Sequence, residues 1–269
     1  MESVLVTGAS GFIGSFIVEQ ALRRGFGVWA GVRSSSSREY LQDKKIHFLE
    51  LDFAHPNELR AQLSGHKGTY SKFDYIIHCA GATKCVDKND FERVNYLQTK
   101  YFVDTLRELN MIPRQFIFIS TLSVFGPIRE KTYTPITGED TPMPNTAYGL
   151  SKLKAEIYLQ SIPGFPYVIY RPTGVYGPRE GLFPDGKVHP AAHGLLRRLP
   201  PSGFDVCLRQ GYCAGRFLGN RETNILPRLF SGGRQGVSKP CLFRLDTERI
   251  GESVCNSSEM SVNYIESCI

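Results

Sequence analysis

The segment VLVTGASGFIG at residues 4–14 joins an apolar run to a turn with three evenly spaced glycines. In a turn between a strand and a helix, Gly8 permits a backbone angle that other residues avoid, and Gly11 removes a Cβ that would collide with a pyrophosphate. Gly14 lets the following helix pack closely on the sheet. The amide groups that open this helix then face the phosphates. The segment predicts a dinucleotide site, although a simple tight turn also explains many isolated glycine triplets.

Outward from this turn, short apolar runs alternate with amphipathic stretches as far as residue 178. The predicted strands cover residues 4–7, 28–32, 46–51, 75–79, 116–120 and 167–170. Helical periodicity is clearest over residues 13–24, 90–109 and 148–160. This alternation predicts an α/β fold with a doubly wound parallel sheet and helices on both of its faces.

The composition is that of a globular protein, and 269 residues fit one large α/β domain or a domain and a half. The formal charge of +6 is spread along the chain, which favours small anionic ligands and not nucleic acid. No segment approaches the ~20 apolar residues of a membrane span, and residues 1–3 run directly into a strand pattern without a signal peptide. We therefore expect a cytoplasmic protein without a membrane partner.

The seven cysteines show no metal-ligand spacing such as C-x-x-C, so we expect reduced thiols and no metal site. Cys79 ends an apolar run and is typical of a core residue.

Tyr148 and Lys152 form a second informative pattern, because on a helix they share one face. Removing hydride from an alcohol carbon leaves a proton on the oxygen, and a phenolate accepts it only if the pKa of the phenol falls from ~10 toward neutrality. A fall of about three units takes roughly 4 kcal/mol, which is about what one ammonium ~4 Å away supplies at an effective dielectric constant of ~20. The pair predicts a nicotinamide-dependent redox site, although the same spacing also occurs by chance on surface helices.

The glycine spacing G-x-x-G-x-x-G resembles the fingerprint of the extended short-chain dehydrogenases/reductases, the NAD-dependent epimerase/dehydratase family. Further matches to that family's pattern occur in the usual order at residues 51–53, 78–81, 94–95, 120–126 and 171–178. The resemblance implies a Rossmann-type NAD(P)-binding domain over residues 1–180, with the catalytic residues inside it. It also implies a small-molecule substrate and a homodimer formed through the helices at residues 90–109 and 148–160.

The resemblance further implies which residues hold the cofactor, besides Tyr148 and Lys152. They are Gly8, Ser10, Gly11, Phe12, Ile13, Gly14, Asp52, Phe53, Ala80, Gly81, Asn95, Pro172 and Thr173. Asp52 and Phe53 are assigned to the adenine. Ala80 and Gly81 are assigned to the pyrophosphate and ribose, and Pro172 and Thr173 to the nicotinamide. Two residues have simpler alternatives, since Asp52 could cap a helix before Pro56 and Asn95 could satisfy backbone groups.

In the family pattern, the hydroxyl three positions before Val124 binds the substrate oxygen, which selects Thr121 here. Ser120 or Ser123 takes this role if the register slips, and Ser123 is a candidate substrate contact. We expect Thr121 to orient the reacting hydroxyl, Tyr148 to exchange its proton, and Lys152 to lower the pKa of the phenol and bind the nicotinamide ribose.

The residue after the second predicted strand indicates whether the cofactor carries a 2′-phosphate, as NADP does and NAD does not. An acidic side chain there would bind the 2′-hydroxyl of NAD, but this chain has Arg33 followed by serines. A guanidinium suits a 2′-phosphate, which favours NADP over NAD. Arg33 could equally stack on adenine or be a solvated loop residue.

Beyond residue 180 the pattern changes. Arginine outnumbers lysine nine to two there, five of the seven cysteines fall there, and only residues 207–209 and 241–245 hint at strands. Residues 181–269 are interpreted as an atypical tail of uncertain fold, disordered or translated out of frame, in place of the substrate lobe, or as a divergent lobe.

Three functions follow from these patterns. The first is NAD(P)-dependent hydride transfer on a secondary alcohol or ketone, with a nucleotide sugar as substrate. The second is a carbonyl reductase resembling the dihydroflavonol or hydroxysteroid branch, which Arg33 favours. The third is a truncated nucleotide-binding protein without catalysis, which the tail favours.

Overall fold

The structure, a computed structural model, describes residues 1–127, 136, 140–172, 175 and 179, and two short strands at residues 205–207 and 242–244. Six strands form one sheet: β1 (Ser3–Thr7), β2 (Gly27–Val32), β3 (Ile46–Glu50), β4 (Tyr75–His78), β5 (Gln115–Ile119) and β6 (Tyr167–Tyr170). The helices are α1 (Phe12–Arg23), α2 (Pro56–Tyr70), α3 (Asn89–Phe91), α4 (Gln98–Glu108) and α5 (Ala147–Ser161). A π-helical segment, Glu92–Leu97, joins α3 to α4, and a 3₁₀ helix, Leu122–Phe125, follows β5.

All neighbouring strands of this sheet are parallel, in the order β3-β2-β1-β4-β5-β6. This order confirms the doubly wound, Rossmann-type sheet that the sequence predicts. The direction of winding reverses between β1 and β4, and ligands of such folds bind beyond the carboxyl ends of the strands at this switch point.

The strand β1 lies at the centre of the sheet, and Val4, Leu5 and Val6 are all 0% exposed. Val4 and Val6 pack with α1 in one core layer, while Leu5 belongs to a second layer with residues of α2, α4 and α5. A parallel strand covered on both faces needs a continuous apolar run, which is why the segment is recognisable in the sequence.

The helix α2 is absent from the sequence-based expectations. Only Leu59, Leu63 and His66 of its fifteen residues are buried, and Gly65 and Gly68 weaken its helical signal. Pro56 occupies its first turn, where a missing N–H costs no hydrogen bond. Three buried residues at helical spacing are enough to stabilise this helix because the sheet supplies a surface for them to cover.

The strands β7 (Asp205–Cys207) and β8 (Leu242–Arg244) form a separate antiparallel pair. They overlap the two segments whose sequence hints at strands, the first of them displaced by two residues. The division at residue 180 and the origin of the tail stay predictions. Among the described residues, no helix is both long and apolar enough to cross a membrane.

Candidate active site

The glycine turn lies between β1 and α1, at the switch point of the sheet. Gly8 has a φ of +64°, and a Cβ built on it would lie 2.8 Å from the amide nitrogen of Ala80. A Cβ on Gly14 would lie 2.2 Å from the carbonyl oxygen of Gly8, so Gly14 packs against the turn itself and not only against the sheet. A Cβ on Gly11, in contrast, would meet one atom within 4 Å, the carbonyl oxygen of Gly8 at 3.2 Å. The protein therefore packs closely around Gly8 and Gly14 and leaves the side of Gly11 open.

The first turn of α1 is suited to an anion. Gly11 is the N-cap residue and provides no side-chain cap, and no acidic side chain occupies the first turn. The N–H groups of a helix start carry partial positive charge and bind phosphates. Ser10, Phe12 and Ile13 around this helix start are half-buried, and Gly11 is exposed. These features fit the pyrophosphate of a dinucleotide.

A buried chain of hydrogen bonds fixes the end of β4 beside this turn. The amide of Ala80 donates to Oγ1 of Thr7 over 3.3 Å, Oγ1 of Thr7 lies 2.8 Å from Nδ1 of His78, and Nε2 of His78 lies 3.1 Å from Oγ1 of Thr99. Since the Thr99 hydroxyl donates to the carbonyl oxygen of Asn95, Nε2 of His78 donates and Nδ1 accepts. Burial lowers the pKa of His78 to about 3, so the imidazole is neutral. In the sequence, His78 is one more residue of an apolar strand, and nothing there predicts this hydrogen-bond network.

The depressed pKa of His78 makes stability sensitive to acid. The unfolded chain binds a proton at a pKa of 6.5 and the folded chain only near 3, so this contribution to stability is complete above pH 6.5 and declines as the pH falls toward 3. Between pH 7 and 5 the wild type is expected to lose about 2 kcal/mol more unfolding free energy than His78→Gln. Urea unfolding of both proteins at the two pH values measures this difference; equal losses would contradict it.

Asn95 lies in the π-helical segment and holds the loop after β4 against α5. Its Oδ1 accepts from the amide of Ala82 over 2.8 Å, and its Nδ2 donates to the carbonyl oxygen of Ala82 and to Oγ of Ser151, both over 3.0 Å. The residue is 0% exposed. Asn95 therefore satisfies backbone groups, as in the simpler alternative, and positions the loop that carries Ala80 and Gly81. Its contact with a cofactor stays a prediction.

This loop places Gly81, a predicted cofactor-binding residue, beside α5, which carries the predicted catalytic residues Tyr148 and Lys152. A Cβ on Gly81 would lie 2.8 Å from Oδ1 of Asn95 and 3.1 Å from Nζ of Lys152. Two predicted site residues far apart in the chain, Gly81 and Lys152, are thus neighbours.

The hydroxyl residues meet at the start of α5. Thr121 caps the 3₁₀ helix by accepting from the amide of Ser123, its hydroxyl lies 3.2 Å from Oγ of Ser123, and it lies beside the phenol of Tyr148. Thr146 caps α5 by accepting from the amide of Gly149 over 3.0 Å. A Cβ on Gly149 would lie 2.5 Å from the carbonyl oxygen of Ser123, so the close fit of helix and loop sets this arrangement. Thr121, Ser123 and Tyr148 thus lie close together, and the role of each stays a prediction.

Lys152 is 5% exposed, and its ammonium donates to the carbonyl oxygen of Ile119 over 3.0 Å. Burial lowers the pKa of Lys152 to about 8, and the negative charge of Glu156 opposes this shift. Burial also raises the pKa of Tyr148, and the hydroxyl of Thr121 opposes the rise. In the described structure Lys152 is not among the groups that shift this pKa, since its ammonium is directed to the carbonyl oxygen of Ile119 at the end of β5. That Lys152 lowers the pKa of the phenol stays a prediction.

The residues assigned to adenine have local partners. Oδ1 of Asp52 accepts from the amide of Ala54 over 2.9 Å, and Oδ2 lies 2.9 Å from Nδ1 of His55, the N-cap residue of α2. The hydrogen bond with His55 lowers the pKa of Asp52. Phe53 is 8% exposed and packs edge-on against His78 at 5.8 Å. Asp52 therefore orders the turn before α2, close to the capping alternative, and the adenine contacts stay predictions.

The remaining predicted residues border the same end of the sheet. Arg33 directly follows β2, is exposed, and forms a turn with Ser36; among the described residues its guanidinium has no partner. Pro172 follows β6, and its carbonyl oxygen accepts from the amide of Leu122 over 2.9 Å. Thr173 lies outside the described residues. No cluster of metal-ligating side chains occurs within the described parts of the chain.

Known proteins resemble this chain in sequence and in structure. The model of the NAD dependent epimerase/dehydratase family matches residues 4–199, past residue 180 where the recognisable motifs end. The UDP-glucose 4-epimerase of Erwinia amylovora is 30% identical over 218 residues, an alignment that covers 74% of this chain and 60% of that epimerase. The D-erythronate dehydrogenase of Cupriavidus necator is 26% identical over 262 residues, covering 84% of this chain and 77% of that enzyme.

Among solved structures, the Bordetella bronchiseptica enzyme WbmH in complex with NAD+ is 27% identical, with a TM-score of 0.56, and the match covers 67% of this chain and 58% of that enzyme. The chain thus spans about 60% of the length of the epimerase that it matches. The family resemblance deduced from the motifs is confirmed.

Proposed function

The chain belongs to the NAD dependent epimerase/dehydratase family, and from this premise we propose that it transfers hydride between a nicotinamide and a secondary alcohol or ketone of a nucleotide sugar, as an epimerase or oxidoreductase. The observation that carries the proposal is the placement of Thr121, before the 3₁₀ helix, and of Tyr148 and Lys152, on one face of α5, at the carboxyl ends of the parallel strands and on the same side as the glycine turn. The similarity to UDP-glucose 4-epimerases supports a nucleotide sugar as substrate.

The residues present fit a dinucleotide. The open side of Gly11 and the uncapped start of α1 are suited to its pyrophosphate, and Lys152 beside Gly81 is suited to its nicotinamide ribose. A bound nicotinamide supplies the hydride acceptor and donor. Thr121 would hold the reacting oxygen of the substrate, and Tyr148, as its phenolate, would take the hydroxyl proton as the carbon loses hydride and return a proton when hydride comes back. The positive charges of Lys152 and of an oxidised nicotinamide would lower the pKa of the phenol to the range that this step needs.

The experiment that tests this function uses the full chain with NAD+ or NADP+ and a panel of nucleotide sugars. Formation of the epimer, followed by chromatography, or a rise in nicotinamide absorbance near ~340 nm supports it. Cofactor binding without turnover of any nucleotide sugar or small ketone supports the third function, a nucleotide-binding protein without catalysis.

A carbonyl reductase is the second candidate, and one observation favours it. The position after β2 holds Arg33 and no carboxylate, and the guanidinium has no partner among the described residues. Such a residue suits the 2′-phosphate of NADP, the cofactor that reductases of this kind release in each cycle. Oxidation of free NADPH that depends on a small ketone supports the reductase, whereas tightly retained NAD supports an epimerase.

Arg33→Asp tests the cofactor preference directly. The change is expected to lower the affinity for NADPH, relative to NADH, by about 10-fold or more, since a charge-assisted contact with phosphate is lost and a repulsion is introduced. Fluorescence titration with both cofactors measures the ratio. Arg38→Asp is the matched control, because Arg38 lies in the same loop but stacks 4.3 Å from the ring of Phe48. An unchanged ratio in Arg33→Asp would mean that Arg33 does not contact the 2′-phosphate.

The homodimer belongs to the same proposal. Leu150 and Ile157 of α5 are 46% and 55% exposed, which leaves two apolar side chains on the helix through which family members are expected to pair.

A further inference from the structure

We propose that a buried ion pair between Glu156 and Arg171 holds the catalytic face of α5 in register with the ends of β5 and β6. The inference rests on the proposed function, because it assigns two positioning residues to that reaction. Glu156 is 0% exposed and Arg171 is 7% exposed. Neither residue belongs to the predicted catalytic or cofactor-binding set.

One carboxylate joins three segments of the chain. Nε of Arg171 lies 3.1 Å from Oε1 and 3.2 Å from Oε2 of Glu156, and Nη2 lies 2.6 Å from Oε2. The hydroxyl of Ser120 also donates to Oε1 of Glu156. A two-pronged guanidinium contact fixes direction as well as distance, which a single ammonium does not. The helix α5 is therefore oriented with respect to both strand ends.

Each partner in this contact adjoins a residue of the site. Glu156 lies one helical turn after Lys152, on the same face of α5. Ser120 immediately precedes Thr121, whose hydroxyl lies beside the phenol at the start of the same helix. A shift of Glu156 along the helix axis would therefore move the phenol and the ammonium relative to Thr121.

Arg171 extends the contact to the nicotinamide side. It immediately precedes Pro172, and its guanidinium carbon lies 4.8 Å from the ring centre of Phe125 in the 3₁₀ helix that Thr121 caps. Backbone bonds continue along this edge, from the amide of Ser120 to the carbonyl oxygen of Tyr170 over 2.7 Å. The ion pair thus lies between the predicted catalytic helix and the predicted nicotinamide border.

Stability alone does not account for a pair at this depth, because well-packed apolar residues often stabilise a core as much as a buried ion pair does. What the pair adds is a defined geometry. A displacement of ~1 Å of a reacting group can cost about 10²-fold in rate, so a fixed register has a large catalytic value.

The test compares the kinetics of Glu156→Gln and Arg171→Lys with those of the wild type. Glu156→Gln keeps the shape of the side chain and loses its charge, whereas Arg171→Lys keeps both charges and loses the fork. Both are expected to lower kcat by about 10-fold to 10²-fold with the cofactor Kd and the substrate KM within about 3-fold, because the register and not the binding surface is disturbed. Leu63→Ala is the control, since Leu63 is buried in α2 and its loss lowers the melting temperature without touching the pair.

If kcat of Arg171→Lys and of folded Glu156→Gln equals that of the wild type, the proposal is overturned. It is also overturned if Leu63→Ala lowers kcat equally at the same loss of melting temperature, since the effect is then one of general stability. If Glu156→Gln does not fold because Arg171 is left uncompensated, Arg171→Lys alone decides. Glu156→Asp, which keeps the charge on a shorter side chain, is expected to fall between Glu156→Gln and the wild type.

A crystal structure of Arg171→Lys separates this inference from the proposed function. The proposal expects α5 to shift so that Tyr148 and Lys152 move relative to Thr121, whether or not the protein turns over a nucleotide sugar. An unshifted helix would overturn the positioning role. A wild type that turns over no tested substrate would count against the proposed function, while the shift of α5 would still decide the role of the pair.

Discussion

Tyr148→Phe is expected to lower kcat by about 10²-fold to 10⁴-fold, the range typical of a lost general acid or base. The substitution removes one hydroxyl, which lies beside Thr121, and leaves the ring that packs edge-on against Phe91 at 5.8 Å. The cofactor Kd is therefore expected to stay within about 3-fold, so that the loss lies in the chemical step. Steady-state kinetics with the substrate found active, together with cofactor titration, measure both quantities.

The matched control is Tyr158→Phe, ten residues later on the same helix. The hydroxyl of Tyr158 bonds Oδ1 of Asp104 over 2.5 Å and has no link to the hydroxyl cluster. Its removal is expected to leave kcat unchanged. Near-normal turnover by Tyr148→Phe would remove Tyr148 from the mechanism.

Lys152→Met is expected to lower kcat/KM for the cofactor by about 10²-fold or more, because a charge-assisted contact with the ribose and the ammonium beside Gly81 are lost. The pH dependence carries a second signature. The charged form of Lys152 exists below its pKa of about 8, so kcat/KM of the wild type is expected to fall as the pH rises above this value.

The profile of Lys152→Met is expected to lack this alkaline limb. Lys154→Met serves as the control, because Lys154 is an exposed lysine two residues away whose ammonium pairs with Glu92 over 2.7 Å. Rate profiles between about pH 6 and 10 distinguish the two, since kcat/KM reports groups of the free enzyme. An alkaline limb that persists in Lys152→Met would assign it to another group.

The parallel sheet could be predicted from the sequence because its physical signal is local. A strand buried on both faces requires consecutive apolar residues, and all six strands of the large sheet lie within a residue or so of their predicted positions. The helix α2 could not be predicted, since its three buried residues lie among polar residues and glycines and give a weak periodicity. Its formation depends on the sheet that it covers.

The residues of the candidate site could be predicted where they belong to a short sequence motif. They could not be predicted where they depend on contacts between residues far apart in the chain. Thr7 and His78 are 71 residues apart, and the apolar strand around His78 gives no sign of a hydrogen-bonded imidazole. Glu156 likewise reads as an ordinary polar helix residue, and only its complete burial beside Arg171 shows otherwise. The pKa of Tyr148 depends on which groups surround the phenol, and spacing along a helix does not specify this.

A crystal structure of the full chain with NAD+ or NADP+ would show whether the glycine turn and the catalytic helix hold one cofactor between them. We expect one dinucleotide whose pyrophosphate lies at the start of α1, beside Gly11, and whose nicotinamide ribose lies within hydrogen-bond distance of Lys152 and the phenol of Tyr148. A cofactor bound elsewhere on the molecule, or one that reaches the glycine turn with its nicotinamide directed away from Tyr148, would contradict it.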